Sequence, residues 1–169
     1  MLNTINKITR RHWNLLGFVL CFSFIAYALY TQYFGGLDPC NLCIFQRVAM
    51  IILGLIFLIA AIHDPAGKGR YVYALFGLIA GGVGAFIAGR HVWIQSQPPD
   101  PFTSCGGDLS YLLDTYPFFK VFELVLQGSG DCSTIDWQFL GFTMPQWTFF
   151  WFVVLGLMIF TGNWKQQNN

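Results

Sequence analysis

The stretch FQRVAMIILGLIFLIAAIHD, residues 45–64, carries an uncharged run from Val48 to Ile62 that Arg47 bounds on one side and His63-Asp64 on the other. A helix needs about 20 mainly apolar residues to cross the hydrocarbon core of a bilayer. The uncharged run falls short of that, so a spanning helix here must start earlier, past Arg47 toward Leu42. The run is apolar all round, unlike an amphipathic surface helix. Three more stretches meet the length requirement. One is charge-free from Trp13 to Leu37, with its apolar centre at Leu15–Tyr30, and another covers Tyr71–Gly89. The last lies within Trp137–Trp164 and is expected to begin near Pro145, because proline suits a first helical turn. The expectation is an all-α membrane protein, a four-transmembrane-helix bundle. It forms a single integral membrane domain over 1–169, with spans near 14–31, 44–62, 71–90 and 145–163.

Composition agrees with this reading. Of 169 residues, 55% are hydrophobic and only 10% charged, whereas an ordinary soluble domain has about 25% charged and about 45–50% apolar residues. This excludes intrinsic disorder, which needs low hydrophobicity and high net charge, and argues against a water-soluble globule. The formal net charge is +1, so no basic excess exists to neutralise phosphates and no nucleic-acid partner is expected. The N-terminal stretch does not read as a cleavable signal, since its apolar run is long and no small-residue cleavage site follows.

The few charges give an orientation. Lys7, Arg10 and Arg11 precede the first span, Lys68 and Arg70 lie between the second and third, and Lys165 follows the fourth. Lys and Arg accumulate on the cytoplasmic side of membrane proteins. Both termini and the short 63–70 loop are therefore expected in the cytoplasm, and loops near 32–43 and 91–144 on the other side. In the third span Gly77, Gly81, Ala85 and Gly89 recur every four residues, a pattern that lets helices approach closely in lipid. Either packing inside the bundle or a dimer seam would use it. The stretch Leu109–Leu126 is apolar and aromatic but broken by Pro117 into pieces too short to span. It is expected to lie along the membrane surface as a short amphipathic helix.

The five cysteines are Cys21, Cys40, Cys43, Cys105 and Cys132. Cys21 falls within the first span, where a thiol behaves as a small hydrophobe. The other four fall in the two outward loops, and disulfides persist in oxidising compartments such as the bacterial periplasm. Cys40-Asn41-Leu42-Cys43 is a C-x-x-C. Zinc binding is disfavoured, because Cys105 and Cys132 lack a His at ligand spacing, and no metal site is expected. A structural staple is also disfavoured, since so small a loop gains little from closure. A reactive dithiol is the better reading. The motif precedes the second span, so it sits at a helix N-terminus, where exposed N–H groups and the helix dipole favour a thiolate. Arg47 lies four residues beyond Cys43 and shares its helix face. An arginine at the membrane edge is a functional candidate, its bland alternative being a side chain that snorkels to the interface. Cys105 and Cys132 are open to either a structural or an exchangeable bridge. The flanking glycines and Ser129 favour the mobility that exchange needs.

The segment DPCNLCIFQR (38–47) in the first outward loop, PFTSC (101–105) and GDCS (130–133) bounding the second, and DWQFLGFTMPQW (136–147) leading into the last span resemble the disulfide bond formation protein B (DsbB) family of bacterial inner-membrane thiol oxidases. The resemblance covers nearly the whole chain. It implies a thiol:quinone oxidoreductase in which Cys105–Cys132 meets a periplasmic, thioredoxin-like DsbA-type partner, with Cys105 taking the mixed disulfide. It also implies that Cys40 exchanges with this second pair and that Cys43, with Arg47 beside it, faces a membrane quinone (ubiquinone or menaquinone). His91 matches a histidine near the family's quinone site, although a satisfied interfacial histidine would look the same. Alternatives are a specialised paralogue, a vitamin-K-epoxide-reductase-like quinone enzyme, and a non-enzymatic four-span scaffold with structural disulfides. No flavin or nicotinamide fingerprint is present.

Overall fold

A computed structural model describes residues 2–65, 67–97, 109–128, 132–135 and 137–164, the side chains from residue 10 onward. Among the described residues six helices carry the fold: α1 (Leu2–Gly35), α2 (Asn41–His63), α3 (Gly69–Gln95), α4 (Leu109–Thr115), α5 (Phe118–Gln127) and α6 (Met144–Trp164). Four of them are long and apolar enough to cross a membrane, over Arg10–Gly35, Asn41–His63, Gly69–Gln95 and Met144–Trp164. They form a ring in which α1 packs on α2, α2 on α3, α3 on α6, and α6 closes back on α1. The protein is a four-helix membrane bundle. Its outer surface is apolar, with Phe22, Ile62 and Phe86 more than half exposed, as expected where lipid replaces water.

The bundle core is built from Cys21, Leu53, Phe57, Phe152, Leu155 and Ile159. Its tightest seam joins α3 to α6, and the small residues of α3 make that seam. A Cβ added at Gly81 would stand 2.9 Å from the Gly156 Cα, and one at Gly77 would meet Ile159. A Cβ at Gly84 would run into the Phe152 ring. This small-residue face is thus occupied within the chain, where close approach of backbones maximises van der Waals contact between helices in lipid.

At one end of the bundle polar groups clamp the helices. The Arg10 guanidinium donates through Nε to the Asp64 carboxylate at 3.0 Å, and its Nη2 reaches the same oxygen. Asp64 itself closes α2 in the left-handed region, at φ 39°. Asn14 and Asn163, both buried, exchange amide hydrogen bonds at 3.1 and 3.4 Å, and Asn163 also donates to the Ile159 carbonyl. Amide pairs of this kind keep polar atoms satisfied where no water reaches.

At the opposite end Pro117 separates α4 from α5. Proline has no N–H to give, so it stands ahead of a helix rather than inside one. The buried face of α5, Val121 and Val125, packs with Leu42, Ile87 and Cys132 over the ends of α2 and α3, while Phe118 and Phe119 point outward. A short hairpin, β1 (Gln138–Phe139) and β2 (Phe142–Thr143), leads into α6. Its turn places Leu140 and Gly141 at positive φ. The sequence offered no sign of this hairpin, since two-residue strands have no period to detect.

Candidate functional site

Cys40 is the N-cap of α2, in extended conformation, and its carbonyl accepts the first helical hydrogen bond from the Ile44 N–H at 3.1 Å. The Cys40 side chain caps no backbone N–H; its sulfur turns instead to Cys43, in the first turn, with the two Sγ atoms 3.0 Å apart. The C-x-x-C therefore presents both sulfurs at a helix N-terminus, where unsatisfied N–H groups and the dipole favour negative charge.

The ring of His91, on α3, is almost wholly buried against this pair. Its Nδ1 accepts from the Gln46 amide at 3.0 Å, and its Nε2 donates to the Cys132 carbonyl at 3.2 Å. One tautomer, with hydrogen on Nε2, satisfies both bonds. The same ring lies 3.8 Å from the Cys40 sulfur and 4.0 Å from the Cys43 sulfur. The Cys40 sulfur, the Cys132 sulfur and a His91 nitrogen all fall within 4.8 Å of one another. Cysteines 92 positions apart in the chain (132 minus 40) thus meet across one imidazole.

Arg47, one turn beyond Cys43, is half-buried and tied to α1. Its Nη1 donates to the Gln32 side-chain oxygen and its Nη2 to the Ala28 carbonyl at 3.1 Å. Two fixed bonds hold the planar guanidinium in one orientation, so this is not a side chain that trails into water.

These groups share one cavity of about 960 Å³. Cys40, Cys43, Gln46, Arg47 and His91 form its polar wall. Trp137, Trp147 and Trp151, with Phe24, Tyr27 and Met144, are among its aromatic and apolar lining. That size, with an apolar and aromatic lining and a few convergent polar groups, is what a small-molecule site looks like.

Of the residues singled out from the sequence, Cys40, Cys43, Cys132, Arg47 and His91 come together here. Cys105 lies outside the described residues. Cys21 sits apart, buried in the bundle core beside Gly54. Three more residues, to which the sequence assigned no role, support the site. Gln46 orients the imidazole, and its only sequence signal is its place one turn after Cys43. Gln95, one turn after His91, donates to the Thr134 carbonyl at 3.2 Å. Arg90 donates to the Leu126 carbonyl at 2.9 Å, closing the C-terminal end of α5, where orphan carbonyls welcome a cation. Arg90 holds the end of α5, while His91 and Gln95 hold the backbone of Cys132 and Thr134 and so keep Cys132 against Cys40.

Comparison with known proteins shows the family of the chain. The family model described as "Disulfide bond formation protein DsbB" matches residues 10–162. A protein of Xanthomonas axonopodis pv. citri named "Disulfide bond formation protein B" is 51% identical over 156 residues, covering 92% of this chain and 91% of its own length. Its namesake from Xanthomonas campestris pv. campestris is 50% identical over 154 residues, 90% of each chain. That of Xylella fastidiosa (strain 9a5c) is 47% identical over 145 residues, 85% of this chain and 84% of its own. The matched region takes in every cysteine, two of the long apolar helices whole and most of the other two, and on that ground the chain belongs to the DsbB family of disulfide bond formation proteins.

Proposed function

We propose that the chain is a thiol:quinone oxidoreductase of the bacterial inner membrane, which reoxidises a periplasmic DsbA-type dithiol protein and passes the electron pair to a membrane quinone. The carrying observation is that Cys40, Cys43 and His91 line one large aromatic cavity while Cys132, buried behind them, meets Cys40 and His91. In this reading the termini and the 64–68 connection are cytoplasmic, the cysteines face the periplasm, and α4 and α5 rest on the membrane surface with Phe118 and Phe119 toward it.

The chemistry is thiol–disulfide exchange, a thiolate attacking an accessible sulfur. The partner's dithiol reduces the Cys105–Cys132 bridge through a mixed disulfide at Cys105, giving up two electrons and two protons. The Cys132 thiolate then attacks the Cys40 sulfur of a Cys40–Cys43 bridge. The Cys40–Cys43 bond breaks, a Cys132–Cys40 bond forms, and Cys43 leaves as a thiolate beside Arg47. Attack by Cys105 on Cys132 restores the second bridge and releases Cys40 as a thiolate, so the pair of electrons now resides on Cys40 and Cys43. The cavity fits a quinone headgroup and the start of its tail: aromatic walls for a flat ring, and Arg47 for a carbonyl or its developing negative charge. A quinone held there supplies a two-electron oxidant that leaves as quinol. The protein's contribution is to position the sulfurs, hold the guanidinium and keep water out. His91 positions the relay: both ring nitrogens are engaged, one by Gln46 and one by the backbone of Cys132.

The test is turnover by the purified full-length protein with a reduced thioredoxin-like dithiol protein and a quinone. Loss of quinone absorbance that vanishes in Cys43→Ser is expected. No turnover with any such pair would overturn the reading. Two cysteine bridges that resist mild reduction would favour a structural scaffold instead.

A further inference from the structure

We propose that in its fully reduced form the chain binds one Zn2+ ion through the Cys40 sulfur, the Cys132 sulfur and the His91 Nε2, and that the bound ion blocks the cysteine relay. The site follows from geometry. Three soft or borderline donors from three separate segments lie within 4.8 Å of one another, and the Cys40 sulfur is already 3.8 Å from the imidazole Nε2. With Zn–S near 2.3 Å and Zn–N near 2.0 Å, tetrahedral ligation places donor atoms roughly 3.5–3.8 Å apart. Sulfur shifts of about 1 Å or less therefore close the site, well within a side-chain rotation. Sequence spacing argued against zinc because no histidine stands near Cys105 or Cys132. The fold removes that objection by bringing His91 from α3.

Charge and surroundings also suit the ion. Two thiolates and a neutral imidazole neutralise a dication, which avoids an unpaired charge in a buried place. Each Zn–S bond forms as an S–H proton leaves to solvent, and no electrons move. On binding, the Nε2 hydrogen is replaced by the metal, and the imidazole carries its proton on Nδ1. Gln46, already 3.0 Å from Nδ1, accepts it through its amide oxygen after a flip, which is the outer partner that metal-bound histidines normally have. The cavity lined by Cys40 and His91 provides the entry path and leaves the fourth position to water. Neither sulfur can attack or be attacked while it holds the ion. The binding half of the proposal rests on geometry alone, and the blocking half rests on the thiol-oxidoreductase reading above.

Cobalt is the spectroscopic probe. The reduced, full-length protein in detergent is titrated with Co2+. The expected result is one ion per chain, a thiolate-to-cobalt charge-transfer band, displacement by Zn2+, and full reversal by a chelator. Cys40→Ser, Cys132→Ser and His91→Ala should each weaken binding by more than about 100-fold, beyond the 10–100-fold cost of losing an outer partner. Gln46→Ala, which leaves all three ligands in place, should weaken it by about 10-fold. Cys21→Ala and Cys43→Ser should retain binding. A Zn2+-dependent rise in Tm, seen for the unaltered chain and absent from Cys132→Ser, separates a lost site from a misfolded variant. No band, or a band undiminished in Cys132→Ser and His91→Ala, would overturn the site and leave any binding to the C-x-x-C alone. Binding without slowed thiol oxidation would keep the site and overturn its blocking role.

Discussion

Arg47 is the residue whose environment says most about the cavity. Its guanidinium is fixed by Gln32 and the Ala28 carbonyl, with no acidic partner among the described residues, so its charge is left to act on whatever occupies the cavity. Arg47→Ala is expected to raise the KM for quinone by about tenfold or more, the loss of roughly one charge-assisted hydrogen bond. Exchange between the second cysteine pair and the partner should change much less. Equal losses in steady-state quinone dependence and in single-turnover exchange would count against Arg47 as a quinone-facing group. Arg90 makes the contrast. It looks like another candidate cation in the sequence, yet it spends its donors on the last carbonyls of α5. Arg90→Ala should therefore loosen the stretch that holds Cys132 and speed alkylation of that buried thiol severalfold in the reduced protein. Turnover at saturating quinone should be affected through positioning alone. Unchanged alkylation, measured by mass spectrometry of quenched time points, would remove this clasp from the account.

Between elements, the decisive contact is α3 against α6. At Gly81 the neighbour is backbone, which cannot rotate away, whereas a Cβ at Gly82 meets nothing. Gly81→Ala is expected to cost about 1–3 kcal/mol through overpacking, while Gly82→Ala should be neutral or stabilising, since alanine is the better helix residue by up to about 1 kcal/mol. Thermal unfolding in detergent compares the two directly, and an equal response would mean the seam is looser than described. Much at this scale was legible beforehand. Apolar runs of spanning length, the four-residue spacing of Gly77 and Gly81 and the break at Pro117 are all local signals in one dimension. What the spacing of glycines did not choose was between a neighbour in the same chain and a second copy. That depends on which helix lies alongside, a property of the ring closure. The hairpin before α6 was invisible for the opposite reason, being too short for any periodicity.

Taken whole, the molecule has a clamped end and a chemical end. At the clamped end, the Arg10–Asp64 pair is largely buried, with side-chain exposures of 9% and 18%. Removing one partner of such a pair strands the other, at a typical cost of about 3–5 kcal/mol. Asp64→Asn should lower Tm clearly while leaving the geometry around Cys40 intact, so the residual folded protein should keep its quinone KM. A changed KM would show that the two ends are coupled. At the chemical end, the sequence pointed to Cys40, Cys43 and Arg47 because the first two turns of one helix join them. It gave no distance between those turns and Cys132, and although the resemblance put His91 near a quinone site it did not put the ring between the cysteines, because that meeting depends on how α3 lies against α2. Gln46 and Gln95 were missed for a related reason: an uncharged amide becomes informative only once its partner is known.

The Asn14–Asn163 pair reaches further than its two hydrogen bonds. The partners are 149 residues apart, and α6 also supplies Trp147 and Trp151 to the cavity wall. While the chain is being made and inserted, the first helix must therefore wait in lipid with an unmatched amide until the last helix arrives. Contacts of such long sequence separation form late. An interrupted chain, lacking α6, would carry a standing polar lesion in its first span and a cavity open on one side. The same amide that completes the finished bundle thus marks the unfinished one, offering membrane proteases and insertases a way to tell a nascent product from a mature enzyme.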